Sequence, residues 1–205
     1  MKYADMTAKI SMEIFGVPDF FIEGYLEDVA IEFFRRSTVW RVIVAVAVVT
    51  DTDVYTVTAP TGSAIDRVVS LLRDDEYVLT PSAYAPPELS LNANATKGSP
   101  QYYREQASST IQLYPVPDDS ATLFAECALS PARDYGEISD ALYTAWGEAI
   151  RNGAKGRLLL IPGTEWVNPE KGSYYLELFE KAVYEAQIVG NSGYGRGHLS
   201  TKMRP

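Results

Sequence analysis

Apolar residues recur at two different periods along this chain, and the period changes twice. After Pro18-Asp19, the stretch FFIEGYLEDVAIEFFRR sets Ile22, Leu26, Val29 and Phe33 at steps of three and four. That spacing draws one apolar stripe along a helix. Asp19 is a candidate N-cap, acids fill the early turns, and Arg35-Arg36 close the segment, the order that the helix macrodipole favours. Gly24 weakens the segment through its backbone freedom. From Trp40 the pattern becomes dense in β-branched residues. WRVIVAVAVVT and VYTVTAP, separated by Asp51-Thr52-Asp53, predict the two strands of a hairpin. RVVSLL and YVLTPS flank Arg73-Asp74-Asp75-Glu76 and predict a second hairpin, with a helix over 64–72 as the alternative. Residues 85–100 have loop composition, although LSLN could support a short strand. YYREQ, STIQLYPVP and ATLFAECAL predict three further strands, the last two divided by the turn at Pro115-x-Pro117-Asp118-Asp119.

The helical period returns near Ile138. Ile138, Leu142, Trp146, Ala149, Ile150, Gly153, Ala154 and Leu158 line one face of a helix that reaches about Ile161. Gly153, Ala154 and Gly156 let another backbone approach closely, at some cost in helix propensity. Pro162-Gly163 stops that helix, and Asn168-Pro169 starts the next with a cap and a first-turn proline. Its stripe is Tyr175, Leu178, Phe179, Ala182, Val183, Ala186 and Val189, and Gly190 is its predicted end. Trp40, Trp146, Trp166 and Phe179 are expected to pack the helical core. The closing GNSGYGRGHLSTKMRP is aperiodic and cannot pack a core of its own, so it is expected to be mobile in the free monomer. This order predicts an α+β fold. An N-terminal helix and two long C-terminal helices form a bundle, an antiparallel β-rich insertion interrupts it, and a flexible C-terminal tail follows. Along the chain these are residues 1–39, 40–130, 131–189 and 190–205.

Charge and composition narrow the function. The chain has 205 residues and a net charge of −9, which argues against gripping nucleic acid, since that needs a basic face to release counterions. Its 14 tyrosines suit subunit interfaces as well as cores. The single cysteine, Cys127, rules out an internal disulfide and sits in an apolar run, where a thiol behaves as a small hydrophobe. The longest apolar run, Val42 to Val49, is too short to span a bilayer, and the first residues lack a signal-peptide core. A soluble protein made in a cytoplasm, with no membrane partner, is expected.

Catalytic chemistry is thinly represented. The only histidine, His198, lies in the tail, so a Ser-His-Asp or Cys-His arrangement would need it anchored elsewhere. One histidine and one cysteine do not make a zinc site, and no cofactor is implied. The tail's GYGRG has neither a strand before it nor a helix after it, unlike a phosphate-cradling loop. Carboxylates remain: the Asp74-Asp75-Glu76 cluster, and Glu126 inside an apolar strand. A glycosidase needs two carboxylates facing each other across a cleft, and charged turns are the commoner use of such residues. No catalytic and no metal-binding residue is assigned.

Three passages resemble the head-to-tail adaptor (connector) proteins of tailed bacteriophages. They are AIEFFRRSTVW; GSPQYYREQASSTIQLYPVPDD, with its I-x-L-x-P-x-P ending; and ALSPARDYGEISDALYTAWGEAIRNGAKGRLLLIPGTEWVNPEKGSYYLELFEKAV. They mark caps, turns and packing positions rather than catalysis. The chain looks similar to the adaptors of short-tailed phages, the tail tubular protein A type. This resemblance implies a virion protein at the head-tail junction that forms a ring of about twelve copies. Such a ring docks on the portal protein above and on the nozzle or tail tube protein below. Double-stranded DNA passes through its channel without sequence-specific binding. In that family the C-terminal segment clasps the portal, which by position maps to Gly190–Pro205 here, with Tyr194, Arg196, His198, Leu199, Lys202, Met203 and Arg204 as contact residues. Two alternatives stay open: a muramidase-like wall-degrading virion protein, as some relatives are, and a baseplate or fibre attachment module.

Overall fold

The structure is a computed structural model that describes residues 1–73, 77–82, 97–133 and 135–192. The chain divides into two compact units: a helical one formed by Met1–Trp40 and the chain from Gly136 onward, and a β-rich one spanning Arg41–Tyr135. The fold is mixed α+β, with helices before and after the strands.

The described residues of the helical unit hold four helices: α1 (Tyr3–Ser11), α2 (Asp19–Ser37), α3 (Asp140–Leu159) and α4 (Pro169–Ser192). Sequence periodicity predicted the last three and missed α1. That helix is too short to stand on propensity and owes its stability to tertiary burial of Tyr3, Met6 and Ile10. Two backbone bonds, Tyr3 N–H to Gly136 O and Ile138 N–H to Met1 O, both 3.0 Å, stitch the two chain segments of this unit together. Asp19 is not the cap of α2. Pro18 occupies the cap position and Asp19 begins the helix, where its carboxylate still meets the positive end of the macrodipole and accepts from Ser11 Oγ at 3.3 Å. Asn168 does cap α4, accepting the Lys171 N–H at 3.0 Å. Gly190 does not end α4, which runs on to Ser192.

Small residues set how closely these helices pack. A Cβ on Gly156 of α3 would lie 2.8 Å from Leu176 and 3.1 Å from the Gly172 carbonyl oxygen of α4. A Cβ on Gly172 would lie 2.9 Å from Leu160, and one on Gly153 would strike Val29 at 2.6 Å and Phe179 at 2.7 Å. Ile150, Ala154 and Leu158 of α3 are fully buried in the same core, with Leu26, Phe33 and Phe34 of α2. Phe33 is its aromatic centre, with ring centroids 5.5 Å from Trp146 and 6.1 Å from Phe179.

A charged network spans three helices at the rim of this core. Arg36 of α2 reaches Glu32 at 2.9 Å and Glu180 of α4 at 2.8 Å, and Arg157 of α3 also bonds Glu32. Burial pushes the Glu32 carboxyl up, but the hydrogen bonds from Arg157 and Arg36 outweigh it and hold it below the usual value. Glu180 is lowered by its bond from Arg36, which prevails over a smaller burial effect.

The β-rich unit carries two sheets among its described residues. The first has the order β1 (Arg41–Val48), β8 (Ala121–Pro131), β3 (Ser63–Arg73), β4 (Tyr77–Val78). The second has the order β2 (Val54–Thr56), β7 (Thr110–Tyr114), β6 (Tyr102–Ala107), β5 (Thr80–Pro81). All pairs are antiparallel except β5–β6. Strands β6 and β7 follow the sequence pattern, and residues 64–72 are strand rather than helix; YVLTPS is not one strand but splits into β4, paired with β3, and β5, which joins the other sheet parallel to β6. The predicted β1–β2 hairpin does not form: β1 pairs with β8, and β2 pairs with β7 in the other sheet. β1 is apolar on both faces and eight residues long, so its ladder needs a long partner, which the three-residue β2 is not. The Asp51-Thr52-Asp53 break therefore carries the chain between sheets. Asp51 takes a left-handed φ of 65°, and the Tyr55 hydroxyl donates to the Thr52 carbonyl at 2.6 Å while accepting the Val49 N–H at 3.1 Å.

Two outcomes are expected. Gly156→Ala should lower stability by ~1–3 kcal/mol through overpacking, a loss larger than its gain in helix propensity. Gly24→Ala should add up to ~1 kcal/mol, because a Cβ there meets nothing within 4 Å. Urea unfolding of both variants checks the pair. Because Glu32 and Glu180 titrate below 4.5 in the folded protein, their contribution is full above that value and fades as pH falls through their lowered folded values. Urea midpoints measured between about pH 6 and about pH 3 should therefore fall, and Arg36→Gln should flatten that fall.

Candidate interaction surfaces

The core of the helical unit leaves three kinds of surface. At one end, the connection between α1 and α2 exposes Met12 at 74% and Phe15 at 80%, and the first turn of α2 exposes Phe20 at 70%. Phe20 and Phe21 lie with ring centroids 4.7 Å apart, so the exposed pair is a preformed aromatic knob. Nearby, an open cavity of about 310 Å³ is lined by residues of two connections, Glu13, Phe15, Trp166 and Val167 among them. Its polar wall is organised: Lys155 is buried, donates to Glu13 at 2.9 Å, and sits 4.1 Å from the centroid of the Tyr175 ring. A paired lysine over an aromatic face is a packing device and leaves little charge for a ligand.

Along α4, Tyr174, Tyr184 and Ile188 are exposed, with Glu177 and Lys181 between them at steps of three and four. A buried stripe through Phe179, Val183 and Ala186 faces the core on the opposite side. The outer face mixes Tyr174, Tyr184 and Ile188 with two charged side chains, so it is soluble alone yet offers aromatic area to a partner.

The residues named from sequence fall in different places. Phe179 is fully buried, while Trp40, Trp146 and Trp166 are partly buried against the same helical core. Trp40 rests on Phe34 at a centroid distance of 5.7 Å. The indole N–H groups of Trp146 and Trp166 are buried without a hydrogen-bond partner. Tyr194, Arg196, His198, Leu199, Lys202, Met203 and Arg204 lie outside the described residues, as do Asp74, Asp75 and Glu76.

Two carboxylates, Glu13 and Glu165, line the cavity of about 310 Å³, and Glu13 is tied there to Lys155. Glu126 accepts from Arg41 at 3.3 Å and from Ser70 at 3.1 Å, which ties it into the sheet. Sequence reading passed over Glu105, whose carboxyl is raised by burial, accepts the Val68 N–H at 3.1 Å, and lines an open cavity of about 410 Å³. The other residues lining that cavity are Val68, Pro81, Ser82, Tyr103 and Arg104, none of them a second acid. Burial pushes the Cys127 thiol up to about 11, the opposite of what a nucleophilic thiolate needs. Among the described residues no cluster of His, Cys, Asp and Glu could hold a metal, and no helix is long and apolar enough to cross a membrane. The signal that survives is apolar surface looking for protein.

Comparison with known proteins agrees with that chemistry. No curated protein matches the chain. Residues 1–198 match the family model of the SU10 adaptor protein. The chain thus belongs to the SU10 adaptor protein family and is a structural adaptor component of a phage virion, associated with other phage head-tail proteins.

Proposed function

We propose that this protein is the subunit of an adaptor ring that joins the portal to the tail or nozzle and lines the channel for double-stranded DNA. The observation that carries the reading is the outer face of α4, where Tyr174, Tyr184 and Ile188 are exposed beside a complete core. Contacts that close a ring are heterologous, so each copy needs two different faces. The outer face of α4 fits one and the Phe15–Phe20 end fits another. About twelve copies, as the short-tailed phage adaptors have, would place a strongly acidic wall around the DNA. Like charge keeps DNA from adhering as it slides. No catalytic step is part of this role. The ring subunit acts by shape, apolar contact and charge.

In this reading the C-terminal segment is the portal clasp. Arg196, Lys202 and Arg204 give it positive charge on an otherwise acidic chain. An aperiodic basic arm that orders on binding loses conformational entropy but can wrap a large acidic groove.

Electron microscopy of the purified protein mixed with portal rings is the direct check: an added ring on the portal is expected, and bare portals would overturn the reading. Deleting Asn191–Pro205 should leave a folded protein, by circular dichroism, that no longer joins portal particles. Retained joining would remove the clasp. Raising salt from about 0.1 M to about 1 M should weaken portal binding of the full chain, since the Debye length shrinks from ~10 Å to ~3 Å. Binding indifferent to salt would mean that the clasp is not electrostatic.

A further inference from the structure

We propose that the free edge of β1 is a pairing site for β1 of a second copy, so that the unassembled protein forms a two-fold dimer through one continuous sheet. An open sheet edge presents unpaired N–H and C=O groups, and proteins blunt such edges with short strands, proline, charge or bulges. Three of the edges here are blunted by shortness: β4 and β5 have two residues each, β5 ends in Pro81, and β2 has three. The open stretch of β3 is broken by two register shifts, carries Asp66 and Arg67, and has its Val68 N–H taken by Glu105.

β1 has none of these protections. It runs eight residues, RVIVAVAV, in unbroken register with β8, with no proline and no charge after its first residue. Among the described residues it pairs with β8 alone. Its outer face is exposed and apolar: Ile43 is 69% exposed, and Ala45 and Ala47 are exposed with it. Only an extended strand can satisfy such an edge, and the occupant must be apolar on both faces, since Val42 and Val44 are only half-covered on the other side.

β1 itself meets that description. A two-fold axis perpendicular to the sheet, set at Ala45, leaves outer residues opposite outer residues and inner opposite inner. On the outer face Ala45 then meets its own copy and Ile43 meets Ala47, large beside small. On the inner face Val44 meets Val46 and Val42 meets Val48, β-branched against β-branched, the pairing that antiparallel sheets favour. This contact is isologous, unlike the heterologous contacts that close a ring. It belongs to the free protein and covers an aggregation-prone edge before assembly.

The test uses the purified full chain without portal. Sedimentation equilibrium should show a monomer–dimer equilibrium. Ala45→Lys sets like charges directly opposite and should raise the dissociation constant at least ~10-fold, with an unchanged thermal melt showing that the fold is intact. Thr56→Lys, on the short β2 edge, should leave association as it was. Oxidation of Ala45→Cys should give a covalent dimer, because Cα separations across an antiparallel pair lie within disulfide range. A chain that stays monomeric at a concentration on the order of 100 μM overturns the inference. So does a dimer that Ala45→Lys leaves intact, equal weakening by Thr56→Lys, or failure of the Cys variant to cross-link. A monomeric result would leave the ring reading standing, since ring formation is scored separately on portals.

Discussion

The approach of α3 to its neighbours through Gly153 and Gly156 is the contact on which the helical unit depends. At Gly153 the missing side chain admits Val29 of α2 and Phe179 of α4, and at Gly156 it admits Leu176 and the backbone of α4. Three helices from two distant stretches of chain meet at these positions. Helix propensity opposes glycine there, so the gain must come from dispersion contacts and buried apolar area that a wider spacing would forfeit. Phe33 and Phe179, fully or almost fully buried, fill the space that this close approach defines.

The tightness of that core explains what remains outside it. Once α4 has given Phe179, Val183 and Ala186 to the bundle, Tyr174, Tyr184 and Ile188 are left exposed. The same holds for Phe15 between α1 and α2 and for Phe20 in the first turn of α2. In an enzyme of this size the informative surplus is usually a cleft with converging polar groups. Among the described residues, one open cavity is lined by Glu13 and Glu165, another by Arg104 and Glu105, and the exposed surplus of the helical unit is apolar. Membership of an adaptor family implies association with other phage head-tail proteins, and exposed apolar surface suits such contacts.

The β-rich unit follows a different economy. Its side chains are satisfied inwardly on one face of each sheet, while the hydrogen-bonding capacity of the backbone is left over at an edge. Three of the edges are too short to matter and the open part of β3 is broken by bulges, which leaves the eight-residue β1 as the exception. Helical and β parts thus offer partners two kinds of unsatisfied chemistry, apolar side chains in one and main-chain groups in the other.

The sequence by itself determined the α+β class, helices α2, α3 and α4, the Asn168 cap and the strands within residues 102–114, while it left residues 64–72 open between strand and helix. All of these rest on local periodicity or on a capping residue next to the turn it caps. It also showed that catalytic residue types are scarce, because that needs only a count. Tertiary structure alone decided the partner of β1, since a strand apolar on both faces carries no mark of which neighbour completes its ladder. It decided α1 as well, whose nine residues are stable only where Tyr3, Met6 and Ile10 find a core. Glu105 became visible as a carboxylate bound to a neighbouring strand only when the two chain segments bearing it and Val68 were brought together. Short-range pattern encodes which face of an element is apolar; what that face meets is settled by residues far away in the chain.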